Sequence, residues 1–133
     1  VTVLLLDTHV VLWAALAPER LGVKAKGLIE ANTCLVSTIS AQEIARLCAT
    51  GKLTKLKAPL NAWLAELRAQ LAFEWAEATV SEAIESYALP DFDHKDPCDR
   101  LIVAAARCRS ATLMTADELL LPYAHLNCVD ARR

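Results

Sequence analysis

Residues 1–13 read VTVLLLDTHVVLW. Five of the first six are apolar, the run stops on Asp7, and an apolar helix-like pattern follows at once. A continuous apolar run of this kind fits a strand buried on both faces, as in a parallel sheet sandwiched between helices. A carboxylate at the end of such a strand is either the cap of the next helix or part of a site, and residues further along the chain bear on the choice.

The opening pattern recurs. Val1–Leu6 reads as a strand and His9–Leu16 as a helix stopped by Pro18. Helical spacing returns over Val23–Ala31, and Cys34–Ser37 is a second short apolar strand. Ser40–Thr50 reads as a helix closed by Gly51 at its C′ position. Pro59–Leu71 starts with a first-turn proline and carries Leu60, Leu64, Leu67 and Leu71 at helical spacing. Phe73–Ala76 is a candidate third strand, followed by a helix over Ser81–Ala88. Pro97–Arg109 is a further helix, Ala111–Thr115 a fourth strand and Asn127–Val129 a candidate fifth. Short apolar strands alternating with helices of about ten residues mark βαβ units and a parallel sheet covered on both faces. In such sheets ligands bind beyond the carboxyl ends of the strands.

The bulk composition narrows the classes. A chain of 133 residues is one domain by length, with no repeat or linker to divide it. It is 55% hydrophobic and 23% charged, and its apolar runs fall short of the roughly 18 residues that span a bilayer. No membrane association is expected. The N-terminus lacks a basic stretch and a small-residue cleavage site, so a signal peptide is not expected either. The five cysteines (Cys34, Cys48, Cys98, Cys108 and Cys128) are odd in number, with no zinc-type spacing, which reads as free thiols in a cytoplasmic protein. A net charge of −2 excludes a protein held on nucleic acid by a global basic field, but not a local patch.

Several acids stand near strand ends or helix starts: Asp7, Glu43, Asp96, Asp99 and, in Thr115-Ala116-Asp117, Asp117. Each has a structural explanation. Asp7 and Asp96 suit helix caps, the latter followed by a proline at the first helical position. Ser40-Ala41-Gln42-Glu43 has the spacing of a capping box. Asp99 would stand at the third helical position, where the helix dipole favours a carboxylate. Collected in one crevice, however, like charges repel and raise one another's pKa unless a cation joins them. Mg²⁺ or Mn²⁺ takes oxygen ligands and keeps several waters, so a few carboxylates suffice. Asp7, Glu43 and Asp99 are therefore expected at one end of the sheet, with Asp117 nearby and the first-turn positions of Glu43 and Asp99 helping to keep them ionised. Only three glycines are present, and none forms a phosphate-binding loop. His9 reads as a helix-start residue, His125 as a residue without acidic neighbours, and His94 as a turn residue that orients Asp96.

The segments LLLDTHVVLW, VSTISAQEIARLCATGKL, LPDFDHKDPCDRLIVAAA and LMTADELL, in that order, resemble the PIN-domain ribonucleases, in particular the VapC-like toxins of bacterial toxin–antitoxin pairs. The resemblance spans nearly the whole chain and implies a PIN-like three-layer α/β/α domain with a parallel sheet of four to five strands. It places the metal-binding acids on Asp7, Glu43 and Asp99, with a fourth at Asp117. It implies cleavage of RNA to a 5′-phosphate and a 3′-hydroxyl by metal-activated water, with Mg²⁺ or Mn²⁺ as cofactor. A VapB-like antitoxin and a homodimer follow from the same likeness. Gln42, Leu47 and Cys98 depart from the family's usual Trp, Lys and aromatic residue, which bears on substrate contacts and not on the acids. Candidate RNA contacts are Lys52, Lys55 and Lys57 in GKLTKLK, together with Arg46 and Arg100; Arg100 could instead pair with a carboxylate in its own box. The surface around Leu47, Leu60, Trp63 and Leu64 is either core or a landing site for an antitoxin tail. The competing reading is a non-catalytic PIN-like module that binds RNA or protein.

Overall fold

The computed structural model describes residues 2–54, 56 and 58–133; Lys55 and Lys57, two of the candidate RNA contacts, lie outside the described residues. Five strands form one sheet: β1 (Val3–Leu6), β2 (Thr33–Ser37), β3 (Glu74–Ala76), β4 (Thr112–Thr115) and β5 (Cys128–Asp130). Their order is β3-β2-β1-β4-β5, and every pairing is parallel. The helices are α1 (Thr8–Leu16), α2 (Val23–Ala31), α3 (Thr38–Ala49), α4 (Leu60–Leu71), α5 (Val80–Glu85) and α6 (Pro97–Cys108), with a 3-10 turn at Pro18–Arg20.

The opening run is continuous because β1 is central and both its faces are covered. Leu4 and Leu6 join a core built with Val36, Met114 and residues of α1 to α4, such as Val10, Ile44 and Leu64. Leu5, pointing the other way, joins Leu113 and Ile102–Ala106 of α6. None of the three leucines is more than 1% exposed. Burying each stabilises the fold by roughly 1.5–3 kcal/mol. The result is three layers, α/β/α, as expected from the alternation of strands and helices.

This topology positions a site. From β1 the chain steps outward to β2 and β3, then crosses to β4 on the opposite side. The order reverses at β1, and a crevice opens there at the carboxyl ends of the strands. Register brings those ends level, with Leu6 opposite both Val36 and Met114.

The starts of α1, α4 and α5 lie one residue from the sequence reading, and that of α3 two. α3 begins at Thr38, because the last residue of β2, Ser37, turns directly into it and accepts a hydrogen bond from the Ile39 N–H at 3.0 Å. Ser40 is thus no cap, the capping box does not form, and Glu43 lies in the second turn of α3 rather than the first. The far end of α3 follows expectation: Gly51 takes φ +76°, its N–H bonds the Cys48 carbonyl, and the Lys52 N–H bonds that of Leu47. Asp96 caps α6 by accepting from the Cys98 N–H at 2.8 Å, with Pro97 at the first helical position. All five cysteines are free. Among the described residues no helix is long and apolar enough to cross a membrane.

Candidate metal centre

Asp7 leaves β1 with its N–H bonded to the Met114 carbonyl, which holds the turn into α1 against β4. Its carboxylate is 6% exposed and doubly engaged: Oδ1 accepts from the Thr8 N–H at 2.8 Å, and Oδ2 from the Thr115 hydroxyl at 2.7 Å. Burial raises its pKa, against the pull of these two bonds. Asp7 therefore caps α1 and also faces the crevice. One role does not exclude the other.

Thr8 links Asp7 to Glu43. The Thr8 hydroxyl lies 2.8 Å from both Glu43 Oε1 and Ser40 Oγ, which explains why Ser40 is fully buried. Burial raises the Glu43 pKa, and the fields of Asp7 and Asp96 add to it while the Thr8 bond opposes. On the other side, Thr115 links Asp7 to Asp117, whose N–H donates to the Thr115 hydroxyl at 3.1 Å. Asp117 Oδ1 accepts from the Leu119 N–H at 2.8 Å.

Asp99 is the third residue of α6. Its pKa is raised to about 7, first by burial, then by Asp96, Asp7, Asp117 and Glu43. The helix start does not hold it in the ordinary carboxylate range. A rise from 3.8 to about 7 corresponds to about 4 kcal/mol in favour of the neutral form, whereas a helix N-terminus returns about 0.3–1 kcal/mol.

The sequence reading undervalued His94. Its Nε2 lies 3.1 Å from Asp99 Oδ2 and 3.9 Å from Asp117 Oδ2. That nitrogen is buried and close enough for an ion pair, yet not aligned for a hydrogen bond with either oxygen. The ring stacks on Phe92 (5.8 Å, 15°), and Nδ1 accepts from the Asp96 N–H at 3.4 Å. His94, Asp99 and Asp117 each offer one ligand atom, all within 4.8 Å of one another. Sequence distance hid the trio: the segment from His94 to Asp99 and the loop after β4 meet only because α6 precedes β4 across the crevice.

The structure thus brings Asp7, Glu43, Asp99 and Asp117 to the carboxyl end of the sheet, with Asp7 and Glu43 beside the trio rather than within it. Among the described residues no Lys or Arg pairs with any of the four. Converging carboxylates without a countercharge, joined by an imidazole nitrogen, fit a divalent cation.

The basic candidates part company. Arg46 and Lys52 are exposed, on α3 and just beyond it. Arg100 is committed elsewhere: it donates at 3.0 Å to the carbonyls of Ser86 and of Phe92, and its guanidinium lies over the rings of Tyr87 and Phe92. It is a brace between α6 and the loop before it, with neither RNA-facing donors at these nitrogens nor a carboxylate partner among the described residues. His9 is exposed near the start of α1. His125 does have an acidic neighbour, Asp91 at 3.5 Å, from a segment far off in sequence. Leu64 belongs to the core, with Leu60 and Trp63 packed against it, while Leu47 is only partly buried.

Known proteins resemble this chain in sequence and in fold. The sequence matches the PIN domain family over residues 4–125. It is 35% identical over 125 residues to Ribonuclease VapC22 of Mycobacterium tuberculosis, covering 93% of this chain and 94% of that protein. Among solved structures, VapBC2 from Rickettsia felis, bound to a DNA fragment from its promoter, matches with a TM-score of 0.68 at 18% identity, over 96% of this chain and 98% of that one. FitAcB from Neisseria gonorrhoeae matches with a TM-score of 0.67 at 20% identity, over 96% and 97% of the two chains. A toxin–antitoxin complex from Klebsiella pneumoniae matches with a TM-score of 0.64 at 18% identity, over 96% of each. With the strand order, the acids at the crevice and a family match over most of its length, the chain belongs to the PIN domain family, as a VapC-like member.

Proposed function

We propose that this protein is a Mg²⁺- or Mn²⁺-dependent endoribonuclease toxin restrained by a VapB-like antitoxin. The observation that carries the reading is the convergence of Asp7, Glu43, Asp99 and Asp117 without a basic partner among the described residues. The ribonuclease name of the Mycobacterium relative supports the reaction, and the antitoxin-bound neighbours support the partner. When bound, the cation would activate water and stabilise the leaving oxygen of a phosphodiester. Asp99 and Asp117 would hold it, with Asp7 and Glu43 completing the acidic shell through carboxylates oriented by Thr8 and Thr115. Burial of Asp7 and its two hydrogen bonds keep that carboxylate fixed, so the shell is pre-organised. Arg46 and Lys52 would contact RNA phosphates, with Lys55 and Lys57 in the same basic run. An antitoxin segment bearing Arg or Lys could pair with the same carboxylates and take the cation's place. A homodimer is part of the proposal.

The test is cleavage of a labelled RNA pool by the purified protein with Mg²⁺, with Mn²⁺ and with EDTA, alongside Asp99→Asn. Cleavage should require metal, disappear in the variant, and fall when the product of the adjacent reading frame is added. Metal-independent cleavage, or full activity in Asp99→Asn, would overturn the mechanism. Metal and RNA binding without cleavage would favour the non-catalytic module.

A further inference from the structure

Beside the acidic crevice lies a cavity of about 670 Å³, and His94 is shared by both. That volume is within the range of small-ligand sites, about 300–1,000 Å³. One wall is a row of rings running outward from the metal centre. His94 stacks on Phe92, Phe92 meets Tyr123 edge-on at 4.9 Å, and Tyr123 meets His125 edge-on at 5.6 Å. Tyr123 is fixed by donation from its hydroxyl to the Pro90 carbonyl at 2.6 Å.

Three acids and one cation line this wall. Asp91 lies 3.5 Å from His125 but is 91% exposed, and Asp96 caps α6 through Oδ1. Asp93 and Lys95 line the cavity, are exposed, and make no ion pair or side-chain hydrogen bond among the described residues. An aromatic wall, unpaired carboxylate oxygens and one unpaired cation match a nucleotide: the base against the rings, the phosphate to Lys95, the base edge to Asp93. A carboxylate only accepts, so it favours a base with two adjacent donors on its Watson–Crick edge. Among the four RNA bases only guanine has them, at N1–H and N2–H₂. The geometry points to a guanine-binding subsite in this cavity, next to the scissile phosphate. The assignment rests on the ribonuclease reading for its place on the RNA, and the cavity's preference can be measured without cleavage.

The probes are GMP, AMP, CMP and UMP, titrated in EDTA into the isotope-labelled protein and followed by backbone amide shifts. GMP should bind at least fivefold more tightly than the other three, with the largest shifts at Asp93, Lys95, Tyr123 and His125. Asp93→Asn should bring GMP down to the level of AMP. Tyr123→Leu should weaken all four, and His125→Ala, at an exposed position, does the same service if loss of the tyrosine hydroxyl unfolds the loop. Equal binding of the four nucleotides, or shifts elsewhere on the surface, would overturn the subsite whatever the nuclease assay shows. An Arg-containing peptide that binds the cavity where GMP does not would also overturn it, in favour of an antitoxin segment. Guanine selectivity at these residues without RNA cleavage would support the subsite and refute only the nuclease.

Discussion

Replacing Asp99 by Asn removes one carboxylate from the cluster while keeping the shape of the side chain. In the absence of metal the wild-type carboxyl, with its pKa near 7, is held back from ionising by burial and by four acidic neighbours. The full shift corresponds to about 4 kcal/mol, which salt and side-chain rearrangement reduce, so a gain of about 1–3 kcal/mol is expected for the variant at about pH 8. For a chain of this size that raises Tm by roughly 4–10 °C. The gain has a defined pH course. Because the folded pKa exceeds the unfolded value, the folded state binds the proton more tightly between 3.8 and about 7, and wild-type stability falls as pH rises through that window. The variant lacks this slope, so the two proteins should converge near pH 4 and separate fully above about 7. Thermal unfolding in EDTA, scanned in pH, reads the effect directly. Added Mg²⁺ should invert it, stabilising the wild type by mass action and leaving the variant nearly unmoved. A variant less stable than wild type in EDTA at high pH, or a difference that does not change with pH, would refute the argument that Asp99 is strained by its neighbours.

Other expectations follow from the same contacts. Asp96→Ala should lower stability by about 1 kcal/mol through loss of the α6 cap, measured by urea unfolding. Arg100→Lys should cost about 1–3 kcal/mol, because one ammonium cannot reproduce two donations to the Ser86 and Phe92 carbonyls, while the salt dependence of RNA binding stays that of wild type. Arg46→Ala and Lys52→Ala should each weaken RNA binding across sequences and flatten the plot of log affinity against log salt by about 0.7, as for one lost single-strand phosphate contact. RNA cleavage at limiting Mg²⁺ should rise with pH through about 7, since the proton and the cation compete for Asp99, and saturating metal should move the rise to lower pH.

Much of this protein was legible in its sequence because the signals were local. The buried run before Asp7 needs only neighbouring residues to read as a central strand, and Asp96-Pro97 and Gly51 mark helix ends by backbone preferences of a few residues. The order of acids and motifs also sufficed to indicate the family. What sequence misread depended on contacts between distant segments. Ser40 looks like a cap until β2 is seen to turn into α3 at Ser37, which frees Ser40 to meet Thr8. Arg100 looks like a free cation until two carbonyls from the preceding loop close on it. Asp99 looks like an ordinary carboxylate at a helix start, and only burial and the convergence of four other acids raise its pKa to about 7. His94 carries no signal of its own, because what gives it meaning is the meeting of two loops across the switch point of the sheet. Backbone preference is written residue by residue, whereas burial and the field of neighbouring charges exist only once the chain has closed around them.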